Sequence, residues 1–310
     1  MKIIPSFFYR FIVAVLCNIF LIPVIHAQKN GIMPLTGLKF YNEGIIAKSI
    51  DIKIDGSLLV SNRIPLNKEI EISIEQPTGF KADNFKTMFA AAEVIVLSPT
   101  GQTLLNNPNV LLKHYSNGFY ADELKTFNIK FGIGTDLMKG NIAGTIKIRL
   151  YDMKGKAQMR LEIPVTFAKP GEAVQVSKTA KPLKSADGNK LGMIMGLKAK
   201  GVQVELDTTI KVSPKMAYTS LVVSKVEGSS IAGIFGGKEK FWVYDSDLNE
   251  LKITDILLKK VQGAMETDMV DYTLKIPYRL KAGKSDKTYF VRFRWESPDK
   301  SQLIDVVVAN

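Results

Sequence analysis

Two stretches of the chain carry the same ordered series of short apolar and polar segments. Val110-Leu111-Leu112-Lys113 answers to Ile256-Leu257-Leu258-Lys259. Gly118 precedes Phe127-Asn128-Ile129-Lys130-Phe131 by nine positions, and Gly263 precedes Tyr272-Thr273-Leu274-Lys275-Ile276 by the same nine. Thr145-Ile146-Lys147-Ile148-Arg149-Leu150 matches Tyr289-Phe290-Val291-Arg292-Phe293-Arg294, and the turn Asp152-Met153-Lys154-Gly155 matches Ser297-Pro298-Asp299-Lys300. Upstream, Glu93-Val94-Ile95-Val96 before Pro99-Thr100-Gly101 stands opposite Lys240-Phe241-Trp242-Val243 before Asp245-Ser246-Asp247. Both stretches close on an apolar run, 161–167 and 304–308. Any two β units align by alternation in a place or two. Agreement of this many segments in order and spacing predicts an internal duplication.

The repeated unit reads as strands. Ile50-Asp51-Ile52-Lys53-Ile54 and Ile70-Glu71-Ile72-Ser73-Ile74 alternate apolar with polar, as do 145–151, 159–167, 202–206, 221–226 and 289–295. Period two sends one face of each strand to a core and the other to water. Turn residues separate the segments at Asp55-Gly56, Pro99-Thr100-Gly101, Gly134-Thr135-Asp136 and Ser297-Pro298-Asp299. No segment after residue 27 carries a long helical stripe, although 122–126 and 254–261 each suit a short helical turn. Short alternating strands in two related units predict an all-β chain of two tandem immunoglobulin-like β-sandwich domains. A small barrel shares this pattern, and strand spacing does not separate the two. Residues 169–190 hold Pro170, Gly171, Pro182 and Gly188 among lysines, a linker composition. The expected organisation is a leader over 1–27, sandwich domains over 28–168 and 191–310, and a linker over 169–190.

The first 27 residues have the layout of a secretory signal peptide. Lys2 and Arg10 precede an uncharged stretch, 11–25, that is short for a spanning helix and is interrupted by Pro23; Ile25-His26-Ala27 then offers a small residue for cleavage. A lipoprotein reading of Cys17 fails, because Leu16 stands where a small residue is needed and mostly apolar residues follow. The expectation is an exported protein, periplasmic or extracellular, that touches a membrane only through the leader before cleavage. Losing the leader lowers the net charge from +12 to +10 and removes the single Cys and one of the two His. Thiol catalysis and cysteine-ligated zinc go with it.

Little catalytic chemistry is left. A Ser-His-acid hydrolase has only His114 as its base, and no Gly-x-Ser-x-Gly elbow supplies the nucleophile. Asp245-Ser246-Asp247-Leu248-Asn249-Glu250 opens like a calcium loop, yet its sixth position is Glu250 where Gly is required and its twelfth is Ile256 where Glu is required. These acids therefore read as turn residues. The glycine-rich run 228–239 lacks the first Gly and the final hydroxyl of a phosphate loop, and Phe241-Trp242-Val243 after it is a strand. No cofactor or metal is expected. Paired carboxylates for glycoside hydrolysis meet in space and not in sequence, so that chemistry stays open.

Each half does carry an apolar connection at the same place in the repeat. It bears Phe80, Phe85 and Phe89 in the first half and Ile231, Ile234 and Phe235 in the second. Such loops either cap the open end of a sandwich or bind a partner. Lys and Arg are dispersed singly and no nucleic-acid motif is present, so specific nucleic-acid binding is not expected. The function expected is a non-catalytic exported protein binding a protein or glycan, with the six loop residues as candidate partner contacts. A carboxylate-dependent polysaccharide hydrolase is the alternative.

Overall fold

Isoleucine at every second position of 50–54 and 70–74 dictates the first ladder. β-branched side chains are at little cost in extended backbone, and period two places them on one face. The two segments pair antiparallel with Ile50 opposite Ile74, Ile52 opposite Ile72 and Ile54 opposite Ile70. The structure is a computed structural model and describes residues 30–112, 116–121, 125–138, 142–182, 190–196, 198–207, 216–227, 238–251, 271–279 and 290–309.

In chain order the strands are β1 (Asn30–Ile32), β2 (Lys39–Glu43), β3 (Ser49–Ile54), β4 (Ser57–Leu59), β5 (Arg63–Ile64), β6 (Glu69–Glu75), β7 (Ala90–Leu97) and β8 (Thr103–Asn107). They continue with β9 (Thr126–Gly132), β10 (Ala143–Asp152), β11 (Gln158–Phe167), β12 (Val176–Ser177), β13 (Lys181–Pro182), β14 (Lys190–Met195) and β15 (Lys198–Asp207). The last are β16 (Met216–Glu227), β17 (Lys238–Tyr244), β18 (Glu250–Leu251), β19 (Asp271–Arg279), β20 (Phe290–Glu296) and β21 (Leu303–Ala309). A single helical turn, α1 (Thr135–Met138), follows β9. Among the described residues no helix is long and apolar enough to cross a membrane.

The chain is all-β. One sheet runs β1-β2-β11-β10-β7-β8 with β5 beside β11, and a second runs β12-β4-β3-β6-β9. Their ladders are antiparallel apart from the two-residue β5 and β11 pair. Val94, Ile148 and Leu161 of the first sheet join Ile52, Ile72 and Phe127 of the second in one apolar cluster, a β-sandwich core. Its outer faces carry cross-strand ion pairs, Lys147 with Glu162 at 3.4 Å and Arg149 with Glu93 at 3.3 Å. Exposed pairs of this kind are worth well under about 1 kcal/mol each and chiefly favour one register.

The remaining strands form a sheet of order β13-β14-β21-β20-β17-β18 and a three-stranded sheet β15-β16-β19. The run β14-β21-β20-β17-β18 has the form of β2-β11-β10-β7-β8, and β16 lies between β15 and β19 as β6 lies between β3 and β9. The segment read as a linker is partly tied down: β12 pairs with β4 and β13 with β14, while 183–189 lie outside the described residues. Pro182 sits in β13, the outermost strand of its sheet, where a missing N–H costs no ladder bond. The helical turns considered over 122–126 and 254–261 fall almost wholly outside the described residues.

One expectation is corrected. Alternation in 289–295 predicts a strand with one face in water, yet Phe290 through Trp295 are all buried in β20. The polar face, with Arg292 and Arg294, is covered by residues from the other end of the chain.

Replacing Ile72, fully enclosed between the two sheets of the sandwich, with Ala is expected to cost about 2–5 kcal/mol in urea unfolding. Phe85→Ser, at a loop tip, is expected to shift stability by less than about 0.5 kcal/mol. Equal losses from the two changes would contradict the placement of the core.

Candidate functional site

The covered face of β20 is built by register. Trp242 and Lys240 of β17 lie opposite Arg292 and Arg294, and Arg294 lies opposite Asp305 of β21. Asp305 is 0% exposed, Arg292 5% and Arg294 7%. The Asp305 carboxylate accepts from Arg292 Nε at 2.9 Å and Nη2 at 2.7 Å, and from Arg294 Nη1 at 3.2 Å. Arg294 Nη2 donates to Glu296 at 2.9 Å. Two guanidinium groups thus meet two carboxylates, which is the condition for burying such charges at tolerable cost. Burial alone opposes the Arg292 cation; Asp305 more than offsets it and holds the guanidinium above its ordinary pKa.

The cluster grips backbone far away in sequence. Asp305 Oδ2 accepts from the Leu35 amide at 3.0 Å, and the Leu35 carbonyl accepts from Arg292 Nη2 and Arg294 Nη1, both at 3.0 Å. Arg294 Nη2 also donates to the Val60 carbonyl at 2.7 Å. Leu35 sits at φ 69°, in the left-handed region that side chains disfavour. Clamping both its amide and its carbonyl holds it there. Gly37, at φ 73°, passes so close to the guanidinium that an added Cβ would overlap Arg292 Nη1. Apolar contacts flank the grip: Ile32 packs with Tyr244, Leu248, Phe290 and Val307, and Leu35 and Val60 pack with Met195 and Leu303.

Beside this contact lies a cleft of about 340 Å³, with Thr36, Ser61, Asn62 and Gln175 on one wall and Trp242, Arg292 and Lys240 among the residues of the other. The Arg292 guanidinium lies over the Trp242 ring, 4.7 Å from its centroid, a cation–π contact that fixes both planes. Burial pushes the Tyr244 hydroxyl up to about 12, although Arg292, which shares a hydrogen bond with it, pulls the other way. Tyr244 is therefore a neutral phenol at pH 7. Two acids, Glu250 and Glu296, also line the cleft. Glu250 pairs with Tyr244 at one end of β17, and Glu296 pairs with Lys238 at the other. Six residues of strand at about 3.3 Å each put them about 20 Å apart. The cleft offers donors, acceptors and an aromatic wall.

The loop residues singled out from the sequence have three different placements. Phe80 is half-buried in a ring cluster, 5.5 Å from Phe119 edge-on and 6.4 Å from Phe127 stacked. Phe89 is half-buried with Lys154 Nζ 5.0 Å from its ring centroid. Phe85 is 82% exposed. It stands at the tip of a turn in which Asp83 Oδ1 accepts from the Phe85 and Thr87 amides at 2.8 and 2.9 Å. Asp152 ties the same connection to the β10–β11 hairpin by accepting from the Lys81 amide at 2.8 Å. Ile231, Ile234, Phe235 and His114 lie outside the described residues. Asp245 is a turn residue, its carboxylate accepting from the Asp247 and Asn249 amides at 3.0 and 2.9 Å. Among the described residues no group of three metal-ligating side chains comes together.

Sequence reasoning missed Arg292, Arg294, Asp305 and Trp242. The signal was present: Asp305 is the lone charge in an otherwise apolar closing run, Leu303-Ile304-Asp305-Val306-Val307-Val308. A lone acid in a buried strand calls for a cationic partner on the neighbouring strand. No protein-family model matches the chain, and no curated protein matches it in sequence.

Asp305→Asn leaves two buried guanidinium groups short of a carboxylate, so a loss of about 3–5 kcal/mol is expected in denaturant unfolding. Glu172→Gln, which touches an exposed ion pair with Arg63 and an exposed bond from the Lys169 amide, is expected to leave the unfolding midpoint nearly unchanged. The Tyr244 hydroxyl titrates higher in the folded chain than its ordinary value of 10.0. Its contribution to stability is complete below pH 10 and is lost as pH rises from 10 toward 12. Ultraviolet difference titration of wild type against Tyr244→Phe reads this directly; a Tyr244 step near pH 10 would contradict the burial.

Proposed function

We propose that this is a non-catalytic exported protein, made of two tandem immunoglobulin-like β-sandwich domains from an internal duplication, that binds a protein or glycan at the cell envelope or outside the cell. The matching strand orders of the two halves support the duplication, and so do their turns. Gly101 N donates to Ser98 O and Gln102 N to Ser98 Oγ in one half; Leu248 N donates to Asp245 O and Asn249 N to Asp245 Oδ1 in the other. The same closure, a side-chain oxygen accepting from the amide four residues ahead, recurs at corresponding hairpins of the two halves.

One observation carries the binding reading. The cleft between the Leu35 turn and β17 is lined by hydrogen-bonding groups and an aromatic ring, while its two acids stand about 20 Å apart along the strand. Glycoside hydrolysis by a carboxyl pair needs roughly 5–9.5 Å between them. A binding site with rigid walls fits that arrangement, and an acid–base pair does not. Phe85, exposed at the end of the first sandwich, adds a separate surface suited to a protein partner.

The test is an incubation of the full chain with cellulose, xylan, starch, chitin and pectin, followed by a reducing-end assay. No release is expected. Release that Glu250→Gln or Glu296→Gln abolishes would overturn the non-catalytic reading. Cell fractionation with amino-terminal sequencing is expected to find the chain outside the cytoplasm beginning at Gln28, and recovery of the chain in the cytoplasm with its leader intact would overturn the export assignment.

A further inference from the structure

We infer that the cleft beside the Leu35 turn binds a short neutral oligosaccharide, with Trp242 as its stacking wall and Asn62 and Gln175 as its hydrogen-bonding rim. This rests on the reading of the protein as a binding module and names the ligand class for that cleft. Size is the first argument. About 340 Å³ lies at the lower end of ligand sites and far exceeds what a structural water needs.

Charge is the second. Arg292 and Arg294 face the cleft, but Asp305 and Glu296 already answer their charge. Lys240 and Glu250, the other two charged groups of the lining, offset one another. The lining carries one more cation than acids, and the enclosed Asp305 behind it cancels that charge, so an anionic ligand gains little electrostatic advantage despite the basic chain as a whole.

Chemical pattern is the third. The amides of Asn62 and Gln175 and the hydroxyls of Thr36 and Ser61 each donate and accept, as sugar hydroxyls do. One face of the Trp242 ring is taken by the Arg292 guanidinium, so a sugar stacks on the other face, where its C–H bonds meet the negative end of the ring quadrupole. A peptide adding as a strand needs an unpaired sheet edge. Here the lining takes alternate residues, Lys240, Trp242 and Tyr244 of β17 and Arg292, Arg294 and Glu296 of β20, so the cleft presents a sheet face and not an edge. An acyl chain finds too little apolar wall.

Rigidity is the fourth. Arg292 is held by Asp305 on one side and held against Trp242 on the other, and the Leu35 turn is held by both arginines. The cleft is formed before any ligand arrives, which spares the ordering cost of binding.

The experiment uses the full chain and follows tryptophan fluorescence and calorimetry with cellohexaose, maltohexaose, xylohexaose, mannohexaose and N-acetylchitohexaose, with heparin and oligogalacturonate as charged probes. At least one neutral probe is expected to bind, with an affinity unchanged between low and high salt. Asn62→Ala combined with Gln175→Ala lies outside the Asp305 cluster. It is expected to weaken that binding at least about tenfold, equivalent to about 1.4 kcal/mol, with Tm lowered only slightly by loss of the exposed bonds from Asn62 Nδ2 to Pro164 O and from Gln175 Nε2 to Lys300 O. Trp242→Phe is expected to abolish the fluorescence response, since Trp295 is the other tryptophan. Binding of charged probes alone with steep salt dependence, undiminished binding by the double variant, or no binding of any neutral probe would each overturn the inference. If no neutral probe binds while the chain still captures an envelope protein in a Phe85-dependent way, the cleft assignment falls and the binding reading stands. Reducing-end release overturns both.

Discussion

The Asp305 carboxylate is the point on which the arrangement turns. Fully enclosed, it has to be neutralised and hydrogen-bonded where it stands, and the two arginines of β20 do this by register: Arg294 is directly opposite, and Arg292 is one step along the same face. Once oriented by the acid, their remaining N–H groups point at backbone carbonyls of Leu35 and Val60. A charge that was costly to bury becomes a fixture joining segments more than two hundred residues apart in the chain.

That fixture has a directional quality that apolar packing lacks. Ile32, Leu35 and Val60 would gain from contact with any apolar face. The bonds to Leu35 accept only one placement, because they use both its amide and its carbonyl and require the glycine at 37 for approach. The cleft is a by-product of the same geometry: the turn stands off the sheet by the thickness of the guanidinium layer, and the space beside it keeps Trp242 half-buried and lined with polar groups.

The sandwich built from β1 to β12 is organised by different forces. Its core is aliphatic and period two, its outer faces carry exposed ion pairs, and its end is closed by Phe80 against Phe119 and Phe127. Phe85 departs from that economy, since Asp83 fixes a turn that presents an aromatic ring to solvent. An ordered turn with an exposed ring is poor capping, which is why Phe85 is proposed as a partner contact while Phe80 is not.

Much of this was legible in the residues themselves. Alternation in β3, β6, β9, β10 and β11 determined which faces are buried, because a strand's side-chain period is two whatever surrounds it. Turn residues such as Asp152, Asp245 and Ser297 determined where strands end, because their side chains bond to amides only two to five positions ahead. What alternation could not decide is what covers the second face of a strand. In β20 that face is charged, and by local rules it belongs to water; only the tertiary structure brings Asp305, the Leu35 carbonyl and the Val60 carbonyl to it and makes burial affordable. The cleft and its lining follow from that long-range meeting, and no local pattern encodes it.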